Sequence, residues 1–181
     1  MFIGYKEWSL VCEALGAGAQ TILLRKGGIS EAKGGFAYSY PEFYLLPTLF
    51  HQQELSVNWR STHEPARTES GAWIIRYKAE MISKIVLKDW DQVLALRPYH
   101  IWKESVLQER FAYKESHQIH FALIRVKKCS SPILLPDTPA LGGCKSWLEC
   151  EDQKDQQEAA EPVINEEEFR IIRKELETLI I

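Results

Sequence analysis

The stretch Gly18-Ala19-Gln20-Thr21-Ile22-Leu23-Leu24-Arg25-Lys26-Gly27-Gly28 ends an apolar run with two cations and then two glycines. That order suits the capture of an anion. Arg25 offers a planar fork that matches phosphate or carboxylate, and Lys26 adds a point charge. Gly27 and Gly28 let backbone N–H groups turn toward a ligand. Thr21 upstream and Lys33 downstream complete a candidate binding mouth. His51 is a second candidate. Behind Pro47-Thr48, at a helix N-terminus, its imidazole would stay neutral and could accept a proton or hydrogen-bond a base. Each of these residues also has a purely structural reading. Arg25 and Lys26 can be a solvated strand end with an ion pair to Glu31, Gly27 and Gly28 a plain turn, and His51 a packed imidazole.

Other chemistries find less support. The Gly-Lys-Ser/Thr ending of a P-loop is missing, as are Gly-x-Ser-x-Gly and paired catalytic carboxylates. Glu31-x-Lys33 matches only the last part of a nuclease carboxylate-x-lysine pattern. Cys12, Cys129, Cys144 and Cys150 form no C-x-x-C pair, so they read as reduced thiols, and neither a metal nor a cofactor is assigned. His63, His117 and His120 carry no pattern. Trp59, Arg60, Arg67 and Arg76 interleave aromatics with arginines. That suits a single nucleic-acid strand, and equally a core with snorkelling cations.

The elements that position these residues follow from composition and periodicity. The 181 residues are 45% hydrophobic, enough for one domain with a sizeable core. Residues 1–150 carry 18 Lys+Arg and 15 Asp+Glu, whereas 151–181 carry 4 and 10. A mildly basic body therefore bears an acidic tail. No run reaches the length of a membrane span and the N-terminus has no signal-peptide core, so a cytoplasmic protein without membrane contact is expected.

Trp8, Val11, Cys12 and Leu15 recur at helical spacing, predicting a helix over 6–15 that stops at Gly16 and Gly18. Residues 20–26 read as a strand, 27–35 as a glycine loop, and 36–46 as one or two short strands broken by Pro41. Thr48 is expected to cap a helix over 49–55. Residues 72–87 alternate: Ile74, Arg76, Lys78 and Glu80 face one way, and Trp73, Ile75, Tyr77, Ala79 and Met81 the other. A strand this long should bend or bulge near Ile82-Ser83. Helices are expected over 89–96 and 102–110, strands over 118–126 and 146–150, and a loop at Pro132, Pro136 and Pro139. Residues 151–164 read as a polar acidic linker after a single domain over 1–150. Asn165 and Glu168 then form a capping box for a helix over 165–181, whose Phe169, Ile172, Leu176 and Leu179 make one apolar stripe.

Lys-Glu-Trp (6–8), Gln-Thr-Ile-Leu-Leu-Arg-Lys-Gly-Gly-Ile (20–29), Phe-Tyr-Leu-Leu-Pro-Thr-Leu-Phe-His-Gln (43–52) and Gly-Cys-Lys-Ser-Trp-Leu-Glu (143–149) resemble bacterial domain-of-unknown-function family 1802 over nearly the whole chain. Helix, then Gly18-x-Gln20-Thr21-Ile22-x-x-Arg25, is more distantly similar to the first helix and strand of ASCH domains in the PUA-like superfamily. The resemblance implies an α+β fold: a small twisted PUA-like (ASCH-type) β-barrel flanked by short helices, with a C-terminal helix added. It also implies binding of RNA or nucleobases. The lysine and the polar residue of the ASCH hydrolases are replaced by Gln20 and Leu23, which departs from that chemistry.

The leading reading is a barrel that binds RNA, single-stranded or modified DNA, or a nucleotide-like anion through Arg25, Lys26, Gly27, Gly28, Thr21, Lys33 and His51. One alternative is a small hydrolase of nucleosides or RNA with His51 as general base. The other is an adaptor that docks a protein partner through Phe169, Ile172, Leu176 and Leu179.

Overall fold

The computed structural model describes residues 1–26, 36–49, 53–62, 64–143, 145–151 and 160–180. Gly27, Gly28, Lys33 and His51 of the expected mouth, together with Glu31, His63 and Cys144, lie outside the described residues. The chain opens with β1 (Phe2–Trp8), α1 (Ser9–Gly16) and β2 (Ile22–Lys26). Then come β3 (Glu42–Thr48), α2 (Gln53–Ser56), β4 (Trp73–Leu87), α3 (Trp90–Ala95) and α4 (Glu104–Phe111). It ends with β5 (Ile119–Leu135), β6 (Trp147–Cys150), β7 (Ala160–Pro162) and α5 (Glu166–Ile180). The architecture is α+β. One twisted sheet runs in the order β2-β5-β4-β3-β1-β6, and β7 pairs with β5 beyond the end of β2.

The longest ladder is β4 against β5, from Trp73↔Leu135 to Leu87↔Ile119. The alternation read from residues 73–80 matches it: Ile75, Tyr77 and Ala79 are buried, while Arg76, Lys78 and Glu80 are half-buried. The expected bulge is present, with the register slipping between Met81 and Ser83. A second slip, between Ile75 and Tyr77, lies opposite residues 129–132. Pro132 therefore sits where the ladder is broken and no N–H is required of it, so β5 runs through the expected loop to Leu135.

Two further expectations are corrected. Lys6, Glu7 and Trp8 belong to β1, because they pair in parallel with Leu46, Pro47 and Thr48 of β3, and the helix begins only at Ser9. Pro47 and Thr48 are accordingly strand residues. The Thr48 hydroxyl donates to the Glu7 carbonyl (3.0 Å) rather than capping a helix, and α2 starts at Gln53. Helix α1 buries Leu10, Val11, Cys12, Ala14 and Leu15 on the sheet. Gly16 allows it to come that close: a Cβ there would stand 2.0 Å from the Tyr77 ring.

The tail folds back onto the body. Residues 160–162 of the expected linker form β7 against Lys127–Cys129. The capping box is in place: Asn165 Oδ1 accepts from the Glu168 N–H (2.9 Å), and Asn165 Nδ2 donates to Glu168 Oε2 (3.4 Å). Phe169 and Leu176 are buried in the main core and Ile172 packs partly against it, leaving Leu179 at 36% exposure. Each fully buried large side chain contributes about 1.5–3 kcal/mol. The stripe expected to dock a protein partner is therefore largely spent within the chain, which corrects the adaptor reading.

Candidate functional site

Among the described residues β2 and β6 are not paired, so the sheet curls without closing. Arg25, at the end of β2, spans the gap with its side chain. Its Nη2 donates to the Lys6 carbonyl (2.9 Å) and to Ser146 Oγ (3.2 Å), and its Nη1 lies 3.8 Å from Glu7 Oε1. The guanidinium also stands over the Tyr5 ring at 5.3 Å. Arg25 is 14% exposed and Glu7 only 2%. The same Glu7 carboxylate accepts from the Trp8 N–H (2.8 Å). Arg25 is thus a cation as the sequence suggested, and most of its fork is held by the fold itself.

A second arginine joins this cluster from α4. Arg110 Nη1 donates to the Leu24 carbonyl (3.0 Å), and its guanidinium lies 3.6 Å from the Trp102 ring centroid and 5.5 Å from that of Trp8. Burial pushes the Arg110 guanidinium down to about 10, with Arg25 adding to the shift and Glu7 opposing it. It therefore remains a cation at neutral pH. Two arginines and one carboxylate, walled by Tyr5, Trp8 and Trp102, hold the ends of β1 and β2 together.

Lys26 points to the other face of the strand, as alternation demands. Its ammonium stands 3.9 Å above the Tyr113 ring, and Lys114 approaches the same ring at 5.4 Å. Tyr113 is half-buried and Lys114 exposed. The loop that carries them holds three non-glycine residues at positive φ: Lys114 (51°), Glu115 (57°) and His117 (43°). Such conformations cost on the order of 1–3 kcal/mol each and persist where the surroundings enforce them. Here the Gln118 N–H donates to the Phe111 carbonyl (3.1 Å) and the His117 ring packs on Phe111, which closes the loop.

Thr21 is not part of this surface. It is 4% exposed, four residues up the strand from Arg25, roughly 13 Å away at strand rise. Arg67 is held over Trp73 (3.4 Å) and paired with Asp137, and Arg76 is paired with Glu64, so these arginines do not converge with Trp59 on one groove. Cys12, Cys129 and Cys150 are buried, and burial raises the thiols of Cys12 and Cys150. His120 is half-buried, its imidazole pushed down by desolvation, and packs edge-on against Phe36. His100 is a buried histidine that the sequence did not single out. Its Nδ1 accepts from the Trp102 N–H (3.1 Å), and burial, followed by Arg110 and Arg97, lowers it to about 4.

Sequence reasoning missed Glu7, Arg110, Tyr113 and Lys114. Glu7 stood in the quoted Lys-Glu-Trp triplet but was assigned to a helix face. Arg110 and Tyr113 reach the end of β2 only through tertiary packing, which has no local signature. Among the described residues no helix is long and apolar enough to cross a membrane.

Comparison with known proteins gives a family and a distant likeness. Three solved structures of one protein are similar to this chain. The crystal structure of ASCH from Zymomonas mobilis aligns with a TM-score of 0.44 and 11% identity, covering 95% of this chain and 93% of that one. A serine-to-alanine mutant of the same protein aligns with a TM-score of 0.43 and 12% identity over 72% of each chain. No curated protein matches. The sequence family described as Domain of unknown function (DUF1802) matches residues 4–175, from β1 into the last turns of α5, and the chain belongs to that family.

Proposed function

We propose that the end of β2, with the 113–117 loop, binds a single-stranded nucleic acid, RNA or DNA. The observation that carries this reading is the half-exposed Tyr113 ring with Lys26 at 3.9 Å and Lys114 at 5.4 Å. An aromatic face stacks on any base, and flanking ammonium groups neutralise the adjoining phosphates. Arg25 and Arg110 act as positioning residues. Their donors are engaged by Lys6, Ser146 and Leu24, and they fix the strand end that presents Lys26. Lys33, Gly27, Gly28 and His51 follow or adjoin this strand end in the sequence, and we assign them to the same mouth, His51 as the group that reads a base. The hydrolase alternative needs a carboxylate or lysine set against His51, which lies outside the described residues.

Fluorescence anisotropy with labelled RNA, single-stranded DNA and duplex DNA at low and moderate salt tests the proposal. Tyr113→Ala should weaken binding of either single strand by about 5- to 150-fold, the equivalent of about 1–3 kcal/mol for one stacked base. The variant should melt near the wild type, because the ring is half-buried at the surface. If wild type binds neither single strand at micromolar protein in low salt, or if Tyr113→Ala binds equally well, the reading fails.

A further inference from the structure

The sheet face that carries Lys26 has a second cluster of cations further along β5, where Arg125 follows Ile119, the partner of Lys26, on the same face. Glu80, Ile82, Arg125 and Lys127 share that face, since Glu80 pairs with Arg125 across the β4–β5 ladder. Helix α5 lies along it and leaves a cleft of about 420 Å³, to which Phe169, Arg170 and Arg173 contribute. That volume is within the range of small-molecule sites, about 300–1,000 Å³.

Arg125 and the carboxylate that faces it are held differently. Arg125 is 8% exposed as a residue, is stacked on Phe169 at 4.5 Å, and donates to the Ile164 carbonyl (3.3 Å). Its Nη1 is buried and has no hydrogen-bond partner among the described residues. The carboxylate that neutralises it, Glu166 at 2.9 Å, is 86% exposed. Lys127 is paired with Glu80 at 3.4 Å, with side-chain exposures of 31% and 43%. Arg170 and Arg173 pair with Glu167 and Glu177, and in both pairs both partners are about half exposed or more. Exposed pairs of this kind are worth about 0–1 kcal/mol and exchange readily. Arg125 forms the floor of the cleft, Glu80 and Glu166 line it beside Lys127, and Arg170 and Arg173 stand at its solvent edge.

We propose that this cleft is a binding site for a phosphate-bearing small molecule, with the Glu166 carboxylate occupying the anion's place on Arg125 until the ligand displaces it. When Glu166 leaves, the Arg125 Nη2 N–H that faced it donates to a phosphate oxygen in its place. Lys127, Arg170 and Arg173 supply the further charge that a multiply ionised phosphate requires and a single carboxylate does not. The floor is rigid because Arg125 is anchored by Phe169 and Ile164 whether or not Glu166 is engaged. The site shares that sheet face with Lys26 but lies six residues along β5 from Ile119, the pairing partner of Lys26, roughly 20 Å at strand rise, so it is separate from the nucleic-acid mouth.

Calorimetric titration of the full chain with inorganic pyrophosphate tests this, with an RNA lacking terminal phosphates as competitor. Wild type should bind pyrophosphate saturably, and that RNA should not displace it. Glu166→Gln removes the internal competitor and should tighten binding several-fold. The double change Arg170→Ala, Arg173→Ala, at exposed positions that leave the fold intact, should weaken it at least tenfold. Lys26→Ala should leave it unchanged. Absence of saturable binding at millimolar pyrophosphate overturns the proposal. So does indifference to Glu166→Gln, displacement by the RNA, or a loss caused by Lys26→Ala in place of the α5 changes.

Discussion

Arg25 and Arg125 are both nearly buried arginines in one sheet, yet they are neutralised in opposite ways. Arg25 faces Glu7, a carboxylate only 2% exposed, and its Nη2 donates to Lys6 and Ser146. Arg125 faces Glu166, a carboxylate 86% exposed at the start of a surface helix. In the first region the cation and the anion are both locked, so the pair is part of the scaffold. In the second only the cation is locked, so its partner is exchangeable. The difference teaches that burial of a cation does not by itself mark a binding group. What matters is whether its counter-charge can leave.

The largest effect should come from breaking the locked region. Arg25→Met leaves Glu7 buried without its cation and the Lys6 carbonyl without its donor. Loss of one partner of a buried pair costs about 3–5 kcal/mol. For a chain of this size that corresponds to a fall in melting temperature of roughly 10 °C. A thermal melt within a degree or two of wild type would show that Arg25 is not part of the scaffold.

Helix α5, which carries the exchangeable partner, must itself be firmly seated for the comparison to hold. Leu176 is 0% exposed, so Leu176→Ala should cost about 2–5 kcal/mol. Denaturant unfolding reads this directly. An unchanged midpoint would mean that the helix is not held by its stripe.

The locked region should also respond to acid. His100 beside Arg110 has its folded value lowered to about 4. The unfolded value is about 6.5, so between these the unfolded chain binds more protons. His100 therefore contributes stability above about pH 6.5 that is lost as pH falls toward 4, about 3 kcal/mol over the window. His100→Gln should flatten the stability curve there relative to wild type; parallel curves would contradict this account. The smallest effect belongs to the exchangeable pair. Glu166→Gln should shift stability by no more than about 0.5 kcal/mol, because an exposed carboxylate regains water when it leaves. A shift of several kcal/mol would place Arg125 and Glu166 in the same class as Arg25 and Glu7.

The parts of this fold that the sequence announces are those set by near neighbours. The alternation of residues 73–80, the bulge near Ile82 and the Asn165–Glu168 capping box all depend on side chains a few positions apart. The parts it conceals are set by distant pairing. Lys6-Glu7-Trp8 has a helical pattern of neighbours but is claimed by β3, some forty residues later. Pro132 reads as a loop residue until its own strand, β5, bulges against β4 and takes it in. Among the described residues no ladder joins β2 to β6, and the Arg25 side chain reaches Lys6 and Ser146 across that gap, a contact with no local signature. For the candidate site, Arg25 and Lys26 were legible as a cation pair. Their opposite fates were not, because Glu7, Arg110 and Tyr113 arrive from β1, α4 and the loop beyond it.

The central claim is that Lys26 and Lys114 neutralise phosphates of a single strand stacked on Tyr113. Its most direct test is the slope of log affinity against log salt for a short single-stranded RNA, measured for wild type, Lys26→Ala and Lys114→Ala. Each lysine that contacts a phosphate adds about 0.7 to the slope on a single strand. The account predicts that each variant is shallower than wild type by about that amount, with melting temperatures unchanged. Slopes that stay equal to wild type in both variants would contradict it.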